Sequence, residues 1–433
     1  MRGCGRARAC PCDESVRTDV SLSLPRYARF VYAWGMRNVT IIGGGAAGLA
    51  AAVAAAQAGA RVVVLEAGKR VGQKILKTGN GRCNLTNTQV SPTDYREPFY
   101  VAPFIEAYPA DRVLDFFDKI GLLTVEEEDG RVYPLSNSAN TVLDVLRTAC
   151  TRLGVETHCE HEVVDMQPVG GGFEITCSNG KRYAADRVIV ATGGGSVLLS
   201  RVGHTITHLQ PVLCPLKTDT KPLRGLSGVR AHAKVSAYET EEDTAPFAWQ
   251  FGEVLFRDYG LSGIVIFDMS REVDAGDWLG MDFLPQVTET DCCEWLSTKY
   301  ENMCKCANEY ATSPPTYSEL LSGVFHTRLN DAIVRKAGCK PSAPALAESI
   351  PAIVEVAKDF RVRITGLGDA SKAQVTRGGA AIDEFDVLTF ESKLVPGLFA
   401  AGETLSVDGR CGGFNLHWAW ASGVAAGMAS AGK

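Results

Sequence analysis

Three glycines and one acidic residue near the start of the chain have the types and spacing to bind a phosphate group and a sugar. Gly43, Gly45 and Gly48 form a GxGxxG pattern, and Glu66 follows 18 residues after the last of them. Glycines in such a turn let the backbone approach a pyrophosphate closely, while an acid at this distance accepts hydrogen bonds from ribose hydroxyls. Because the acid also repels a 2′-phosphate, the pattern predicts FAD or NAD rather than NADP.

The segments around these residues are typical of two strands and a helix that would hold them in place. An apolar stretch at 39–42 leads into the glycine turn, a helix is expected to begin at Ala46 and Ala47, and a second apolar stretch at 61–65 ends next to the acid. The helix would present unpaired amide groups and the positive end of its dipole to the phosphates. A chain with 44 glycines produces chance matches to GxGxxG. The flanking strands and the acid therefore favour a dinucleotide-binding unit over the alternative, a plain buried turn.

Length and composition place the chain among multidomain globular proteins. Its 433 residues exceed the size of a single core, so two or three domains are expected. Hydrophobic residues make up 45% and charged residues 22%, as in soluble proteins, and the net charge of −6 argues against a nucleic-acid partner. The longest apolar stretch, 46–65, is accounted for by the helix and second strand of the nucleotide unit. We therefore expect no membrane span and a cytoplasmic location.

Neither the cysteines nor the histidines have the spacing of a metal site. The 14 cysteines are scattered without a CxxC pair, and His204 and His208, four residues apart, have no third ligand near them. We expect reduced thiols and no metal. Residues 1–35 hold six arginines, three acids and three cysteines without the apolar core of a secretory signal. They are predicted to be a disordered extension, with a start codon at Met36 or a transit peptide as alternatives.

Changes of pattern along the chain predict an α/β fold in which a Rossmann-like nucleotide-binding domain is split by an insertion. The expected elements are helices over 111–120 and 141–153, a small antiparallel meander over 162–169, 173–177 and 182–183, and strands of a barrel-like domain over 230–238, 253–256 and 264–269. The predicted parts are the extension (1–35), the first part of the nucleotide-binding domain (36–196), the first part of an inserted β-rich domain (197–273), a small helical subdomain (274–340), the second part of the β-rich domain (341–365) and the second part of the nucleotide-binding domain (366–433).

Four further motifs carry a resemblance to a known family. They are GNGRCNLTN at 79–87, a strand running into ATGG at 191–194, YGLSG at 259–263, and a glycine-rich stretch at 397–415. In this order they resemble the two-dinucleotide-fold flavoproteins. More narrowly, they are similar to a family of NAD(P)/FAD-dependent oxidoreductases that includes a bile-acid-pathway reductase and proteins labelled aminoacetone-oxidase flavoproteins. The resemblance covers about 37–427.

The resemblance implies an FAD site built from several separate segments. The residues that it assigns to the cofactor are Gly43, Gly45, Ala46, Ala47, Gly48 and Glu66 for the ADP half; Arg82, Cys83 and Asn84 near the flavin; Thr192 and Gly193 at a strand end; Gly402 and Glu403 for the ribityl and pyrophosphate portion; and Gly413, Phe414, Asn415 and Leu416 for the pyrimidine edge of the ring. A helix beginning at that edge would stabilise the anionic reduced flavin with its amide groups.

The activity implied is hydride transfer from flavin N5 to an unsaturated or carbonyl small molecule, with NADH or NADPH as a transient co-substrate. No second complete GxGxxG unit is present for the nicotinamide. A proton must accompany the hydride, and the candidate donors are Cys83, Tyr259 and His417. Cys83 could equally be a small filler, and His417 a packed histidine. The chain has Arg257-Asp258 where the family often has Thr-His. The resemblance therefore says less about the substrate of this chain than about its cofactor.

Three other functions stay open at this point. An oxidase would pass its electrons to oxygen, a flavoprotein acting on RNA would bind a polynucleotide, and a flavin sensor would carry FAD that NAD(P)H does not reduce. The acidic balance and the lack of stretches that alternate basic and aromatic residues argue against the RNA enzyme. The expected partner is a small molecule, and the oligomeric state is left open.

Overall fold

A computed structural model describes residues 36–194, 197–369 and 373–432, and the extension predicted at 1–35 lies outside these ranges. The strands are β1 (Asn38–Ile42), β2 (Arg61–Leu65), β3 (Thr86–Asn87), β4 (Thr124–Glu126), β5 (Arg131–Pro134), β6 (Glu156–His158), β7 (Val163–Val169), β8 (Gly172–Cys177), β9 (Arg182–Ala185), β10 (Arg187–Val190), β11 (Gln210–Val212), β12 (Leu216–Thr218), β13 (Arg230–Tyr238), β14 (Ala248–Arg257), β15 (Gly260–Ser262), β16 (Trp278–Asp282), β17 (Phe360–Leu367), β18 (Val375–Arg377) and β19 (Leu398–Ala400). The helices are α1 (Ala46–Gln57), α2 (Pro98–Ala107), α3 (Ala110–Lys119), α4 (Ala139–Arg152), α5 (Val197–Arg201), α6 (Ile264–Met269), α7 (Glu289–Glu309), α8 (Tyr317–Leu320), α9 (Thr327–Lys336), α10 (Ile350–Lys358) and α11 (Phe414–Ala431). Among the described residues, no helix has both the length and the apolar character needed to cross a membrane.

Five parallel strands form the central sheet of the nucleotide-binding domain, in the order β19-β10-β1-β2-β6. Strands β1, β2 and β10 are apolar and largely buried, as is typical of a parallel sheet covered on both faces. Four of the five strands precede the barrel in sequence, whereas β19 follows it. The Rossmann-like domain is therefore split by an insertion, which confirms the predicted fold class.

Helices α1 and α11 pack against each other at unusually short range. A Cβ atom at Gly423 would lie 2.3 Å from the carbonyl oxygen of Ala47, and one at Gly427 would lie 2.4 Å from that of Ala51. Such an approach requires glycine, because any side chain would collide with the facing backbone. The two helices run in the same direction, so this packing fixes the beginning of one relative to the other.

The inserted domain is a closed barrel with the strand order β12-β15-β14-β13-β16-β17. Its interior shares one hydrophobic core with helices α7, α8, α9 and α10, which cover it. Strand β16 lies inside the segment 274–340 that was predicted to be helical, and α10 lies inside 341–365, which was predicted to be β-rich. Barrel strands and covering helices thus alternate along the chain instead of forming consecutive blocks.

One predicted strand is wrong. Residues 264–269 form α6 instead, because a short apolar stretch does not by itself distinguish a buried strand from a buried helix. Gly263 turns the chain with φ +107°, and a Cβ there would lie 2.3 Å from the Glu253 carbonyl oxygen. The chain consequently leaves β15 and packs back on β14 as a helix. The helices predicted at 111–120 and 141–153 are confirmed as α3 and α4, and the meander as β7 to β9.

Candidate cofactor site

Of the three glycines of the GxGxxG pattern after β1, the surrounding protein requires two and leaves open space at the third. A Cβ at Gly43, where φ is +105°, would lie 2.4 Å from the Ala191 carbonyl oxygen, and a Cβ at Gly48 would lie 1.9 Å from the Gly43 oxygen. A Cβ at Gly45 would meet no atom of the described chain within 4 Å. Gly45 therefore leaves open space in front of the first amide groups of α1, which is the cradle that a pyrophosphate needs.

Glu66 supports this turn directly. One carboxylate oxygen accepts a hydrogen bond from the Gly44 amide at 2.7 Å, and the other accepts from the Gly68 amide at 2.7 Å. A carboxylate has about four lone-pair positions, so it can brace the turn and still accept ribose hydroxyls. The sequence predicted only the second of these roles.

The end of β19 lies against the beginning of α1. A Cβ at Gly402, where φ is +67°, would lie 2.7 Å from the Ala47 side chain. The Gly402 amide donates to Ser422 Oγ at 2.9 Å, and its carbonyl accepts from the Trp418 indole at 3.1 Å. Contacts with α11 therefore fix the strand end beside the amide groups of α1. This brings together two of the segments that the resemblance assigned to FAD.

Glu403 bridges three segments at the same edge of the sheet. Its carboxylate accepts from the Thr376 amide and pairs with Lys74 Nζ at 3.2 Å. A Cβ at Gly193 would lie 3.5 Å from Lys74 Nζ and 3.6 Å from the Glu403 carboxylate, and Thr192 is exposed next to it. Sequence reasoning missed Lys74 and Thr376 as members of this site. The only available signal was a lysine within the glycine-rich loop, since nothing in the sequence links it to an acid 329 residues away.

The beginning of α11 is set by Gly413, which has φ +102°. A Cβ there would lie 2.6 Å from the Thr86 carbonyl oxygen and 2.9 Å from Asn84 Oδ1. Asn84 Oδ1 is buried and has no hydrogen-bond partner among the described residues. An unpaired buried acceptor is costly, and a bound ring that offers an N–H group would satisfy it. The residues present thus fit the flavin end of FAD.

The three residues after Gly413 help to hold the start of α11 in place. Tyr95 donates its hydroxyl to the Phe414 carbonyl at 2.9 Å, and Leu416 packs against the core. The Asn415 side chain accepts from the Gly409 amide at 2.8 Å and donates to the Gly409 carbonyl at 2.7 Å. Asn415 therefore braces the loop that precedes the helix. The first amide groups of α11 have no acceptor within the helix and stay available for a ligand.

Arg82 and Cys83 have different surroundings. The Arg82 guanidinium donates to Asn137 and Glu127 and lies 3.9 Å from the centre of the Tyr133 ring. Cys83 is fully buried with φ +61°, and burial raises the pKa of its thiol to about 12. The thiol is therefore protonated at neutral pH and a poor proton donor. These properties favour the filler role that the sequence left open for Cys83.

His417 is fully buried in the first turn of α11. Its Nε2–H donates to the Tyr108 carbonyl at 3.0 Å, so its Nδ1 accepts from the Thr86 hydroxyl at 2.8 Å. Burial lowers the pKa of the imidazole to about 4. With both nitrogens paired and the neutral form favoured, the geometry supports the packed histidine over the proton donor.

Tyr259 lies in the turn between β14 and β15, and its carbonyl accepts from the Thr218 amide at 3.3 Å. Tyr259 therefore belongs to the barrel and directly follows Arg257 and Asp258, where the chain departs from the family pattern. Its role as a proton donor stays a prediction.

His204, one of the two histidines spaced four residues apart, has hydrogen-bond partners of its own within the protein. Its Nδ1 bonds to the Glu384 carboxylate at 2.7 Å and its Nε2 to Ser392 Oγ at 2.9 Å. Both ring nitrogens are thereby used in joining the segment after α5 to the segment that precedes β19.

The class of protein that fits this site is the FAD-dependent oxidoreductases. The domain is a split Rossmann-like fold, a glycine cradle lies at the start of α1, and the unpaired Asn84 Oδ1 faces Gly413 at the start of α11. Comparison with known families narrows this class. The model of the HI0933-like protein Rossmann domain matches residues 37–429, and the chain belongs to that family.

Two curated relatives match over nearly their whole length. The chain is 34% identical to the 3-dehydro-bile acid delta(4,6)-reductase of Clostridium scindens over 421 residues, covering 92% of this chain and 99% of the relative. It is 28% identical to the ribosomal RNA dihydrouridine synthase of Escherichia coli, covering 89% and 96%. Among solved structures, the 3-ketosteroid-delta4-(5alpha)-dehydrogenase of Rhodococcus jostii RHA1 matches with 16% identity and a TM-score of 0.47, covering 94% of this chain and 99% of that one.

Proposed function

We propose that this flavoenzyme is an NAD(P)H-driven reductase that adds two hydrogens across a carbon–carbon double bond conjugated to a carbonyl group. The observation that carries the proposal is the 34% identity, over 99% of its length, to a reductase acting on a 3-dehydro-bile acid. The second relative, a dihydrouridine synthase, also saturates a ring double bond next to a carbonyl. Two relatives with unlike substrates thus share one reaction type.

The described residues have separate tasks in this reaction. The amide groups at the start of α1 hold the pyrophosphate, and the brace from Glu66 to Gly44 keeps that turn in shape. Asn84 Oδ1 and the first amide groups of α11 orient the ring. FAD bound there would supply the hydride chemistry that links the nicotinamide to the substrate. We propose Tyr259, on the barrel, as the group that supplies the accompanying proton.

The nicotinamide is proposed to visit the flavin only transiently. The sequence contains one complete GxGxxG unit, and the structure uses that unit for the first turn of the central sheet. The described residues therefore include one dinucleotide fold of this type, and it is assigned to FAD. Donor and acceptor would then use the same open side of the cofactor in turn.

Half-reactions with the purified full chain test this function. Anaerobic NADH or NADPH should bleach the flavin absorbance, and a 3-oxo-4-ene or 3-oxo-4,6-diene steroid should restore it while gaining two mass units. A flavin that NAD(P)H leaves oxidised would contradict the reductase and favour a sensor. Reoxidation by oxygen as fast as by any organic acceptor would favour an oxidase.

A second candidate is a reductase of uracil bases in RNA, favoured by the 28% identity to the ribosomal RNA enzyme. The net charge of −6 opposes it, because RNA binding is largely driven by neutralising phosphates. Incubation with unmodified ribosomal RNA and NADPH, followed by mass analysis of nucleosides, separates the two candidates. Formation of dihydrouridine at a rate above that of steroid reduction would establish the RNA enzyme.

A further inference from the structure

A polar chamber of about 770 Å³ lies where the inserted domain meets the nucleotide-binding domain. Its wall is formed by residues of the segment 93–98 at the start of α2, the segment 271–274 after α6, and single residues of β11, β14 and β18. Arg410, from the loop that leads to Gly413 and α11, also contributes. The chamber therefore borders both the barrel and the loop that sets the flavin end of the cofactor site.

Two nearly buried arginines share a single carboxylate in this wall. Arg271 Nε donates to one oxygen of Asp408 at 2.9 Å, and Arg377 Nε donates to the other at 3.3 Å. The side chains of Arg271, Arg377 and Asp408 are only 9%, 16% and 3% exposed. Two guanidinium groups with one carboxylate leave this trio with one positive charge, and each guanidinium keeps donors that Asp408 does not use.

Two further arginines extend this basic wall. Arg96 is exposed, and its backbone amide donates to the Asp408 carbonyl at 3.1 Å, which anchors it beside the trio. Its guanidinium forms no ion pair or hydrogen bond within the described part of the chain. Arg410 pairs with the buried Asp94 at 2.6 Å, and its own side chain is half exposed. Arg96 is thus a cation that lines the chamber without a protein counter-ion.

The acids around the chamber offset part of its positive charge but leave guanidinium N–H donors unused. Glu97, Glu272 and Asp274 also line it from exposed positions, where water screens their charges as it screens that of Arg96. Asp268 faces Arg271 and Arg410 from α6 and accepts from the Cys411 amide at 2.6 Å. Burial raises the pKa of Asp268 to about 6, so this carboxyl is still mostly ionised at neutral pH and offsets part of the positive charge of Arg271 and Arg410.

We propose that this chamber binds an anionic oxygen group, a carboxylate or a phosphate, of one of the two reactants of the enzyme. Sites for apolar ligands are lined mainly by hydrophobic side chains, whereas this one presents guanidinium groups from four separate segments. Arginine suits carboxylate and phosphate because its planar donors match their paired oxygens. The proposal rests on the proposed function only in assigning the anion to a reactant.

Calorimetry on the FAD-loaded full chain tests the site without turnover. Sodium pyrophosphate and sodium cholate serve as probes of phosphate and carboxylate. At least one should bind saturably, and Arg96→Met should weaken that binding roughly tenfold, since a charge-assisted hydrogen bond is lost. Arg182→Met, which removes an exposed arginine of β9, is the matched control and should bind like the parent chain. The proposal would be overturned if neither probe bound saturably. It would also be overturned if both Arg96→Met and Arg410→Gln bound the probes with the affinity of the parent chain.

The two half-reactions identify which reactant carries the anion. If it belongs to the hydride donor, Arg96→Met should raise the apparent Kd of NADH or NADPH in anaerobic flavin reduction. If it belongs to the acceptor, the same variant should raise the KM for 3-oxo-4-cholenoic acid and leave that for its methyl ester unchanged. An effect on neither half-reaction would refute a reactant site. A protein inert towards NAD(P)H and both steroids would instead refute the proposed function, while calorimetry still decides on anion binding.

Discussion

The two ends of the cofactor site are both helix beginnings, yet they are built in opposite ways. At α1, a single local stretch provides the turn, and Gly45 faces open space. At α11, Gly413 is packed against Thr86 and Asn84, and the loop before it is held by side chains from distant segments. The comparison shows that the adenine end depends on local backbone shape, whereas the flavin end depends on long-range contacts. Substitutions at the two ends should therefore differ in how they change stability and FAD binding.

The largest expected effect separates Gly48 from Gly45 within the adenine end. Gly48→Ala places a Cβ 1.9 Å from the Gly43 carbonyl oxygen, so we expect a loss of about 3 kcal/mol or more in the free energy of unfolding. Gly45→Ala meets no described protein atom and should leave the stability of the FAD-free protein within about 1 kcal/mol while sharply weakening FAD binding. Urea unfolding and FAD titration measure the two effects. A stable, FAD-binding Gly48→Ala variant would break the comparison.

The stability of the protein should depend on pH through the flavin end, because His417 is packed there in its neutral form. Burial lowers the pKa of His417 to about 4, below the value near 6.5 in an unfolded chain. Below about pH 6.5 the unfolded chain takes up a proton that the folded protein does not accept until about pH 4. Stability therefore falls as the pH drops through this window, by up to about 1.4 kcal/mol per pH unit from this residue.

Urea unfolding between pH 7 and pH 5 measures the contribution of His417. His417→Gln should flatten the pH dependence, even though it lowers stability at pH 7. The matched control is His232→Gln, which changes an exposed histidine of the barrel and should keep the parent slope. An unchanged slope in His417→Gln would show that the start of α11 is not held by a buried neutral imidazole.

Replacing Asn84 should have a smaller effect on stability, with opposite signs in the FAD-free and the FAD-bound protein. Its Oδ1 is buried without a partner in the described chain, so Asn84→Ala should leave the FAD-free protein equally stable or slightly more stable. FAD affinity should fall roughly tenfold, because the ring loses an acceptor. Thermal melts with and without FAD reveal the two signs. Equal destabilisation of both forms would indicate an ordinary packing role.

The same contrast explains what could be predicted from the sequence. The glycine turn, β1, β2 and Glu66 lie within 30 residues, so their spacing determines their arrangement, and the predicted split Rossmann-like domain is confirmed. The bridge from Glu403 to Lys74 and the pairing of Arg271 with Asp408 join residues more than 100 positions apart. No local pattern links such residues, because only the closed barrel and the return of the chain to β19 bring them together. The prediction of a strand at 264–269 was wrong for a related reason. The turn at Gly263 and the packing on β14, which no local pattern reveals, determine that this segment is the helix α6.

The smallest expected effect tests a long-range ion pair at the edge of the adenine end. Lys74 is 73% exposed and pairs with Glu403 at 3.2 Å, so Lys74→Met should not measurably change the melting temperature. Glu403 also accepts from the Thr376 amide and would keep its place through that bond. FAD affinity should fall about two- to threefold, and the loss should shrink as salt is raised, since an exposed cation acts through a screened field. If Lys74→Met instead abolished FAD binding at every salt concentration, the adenine end would depend on a distant side chain as strongly as the flavin end does.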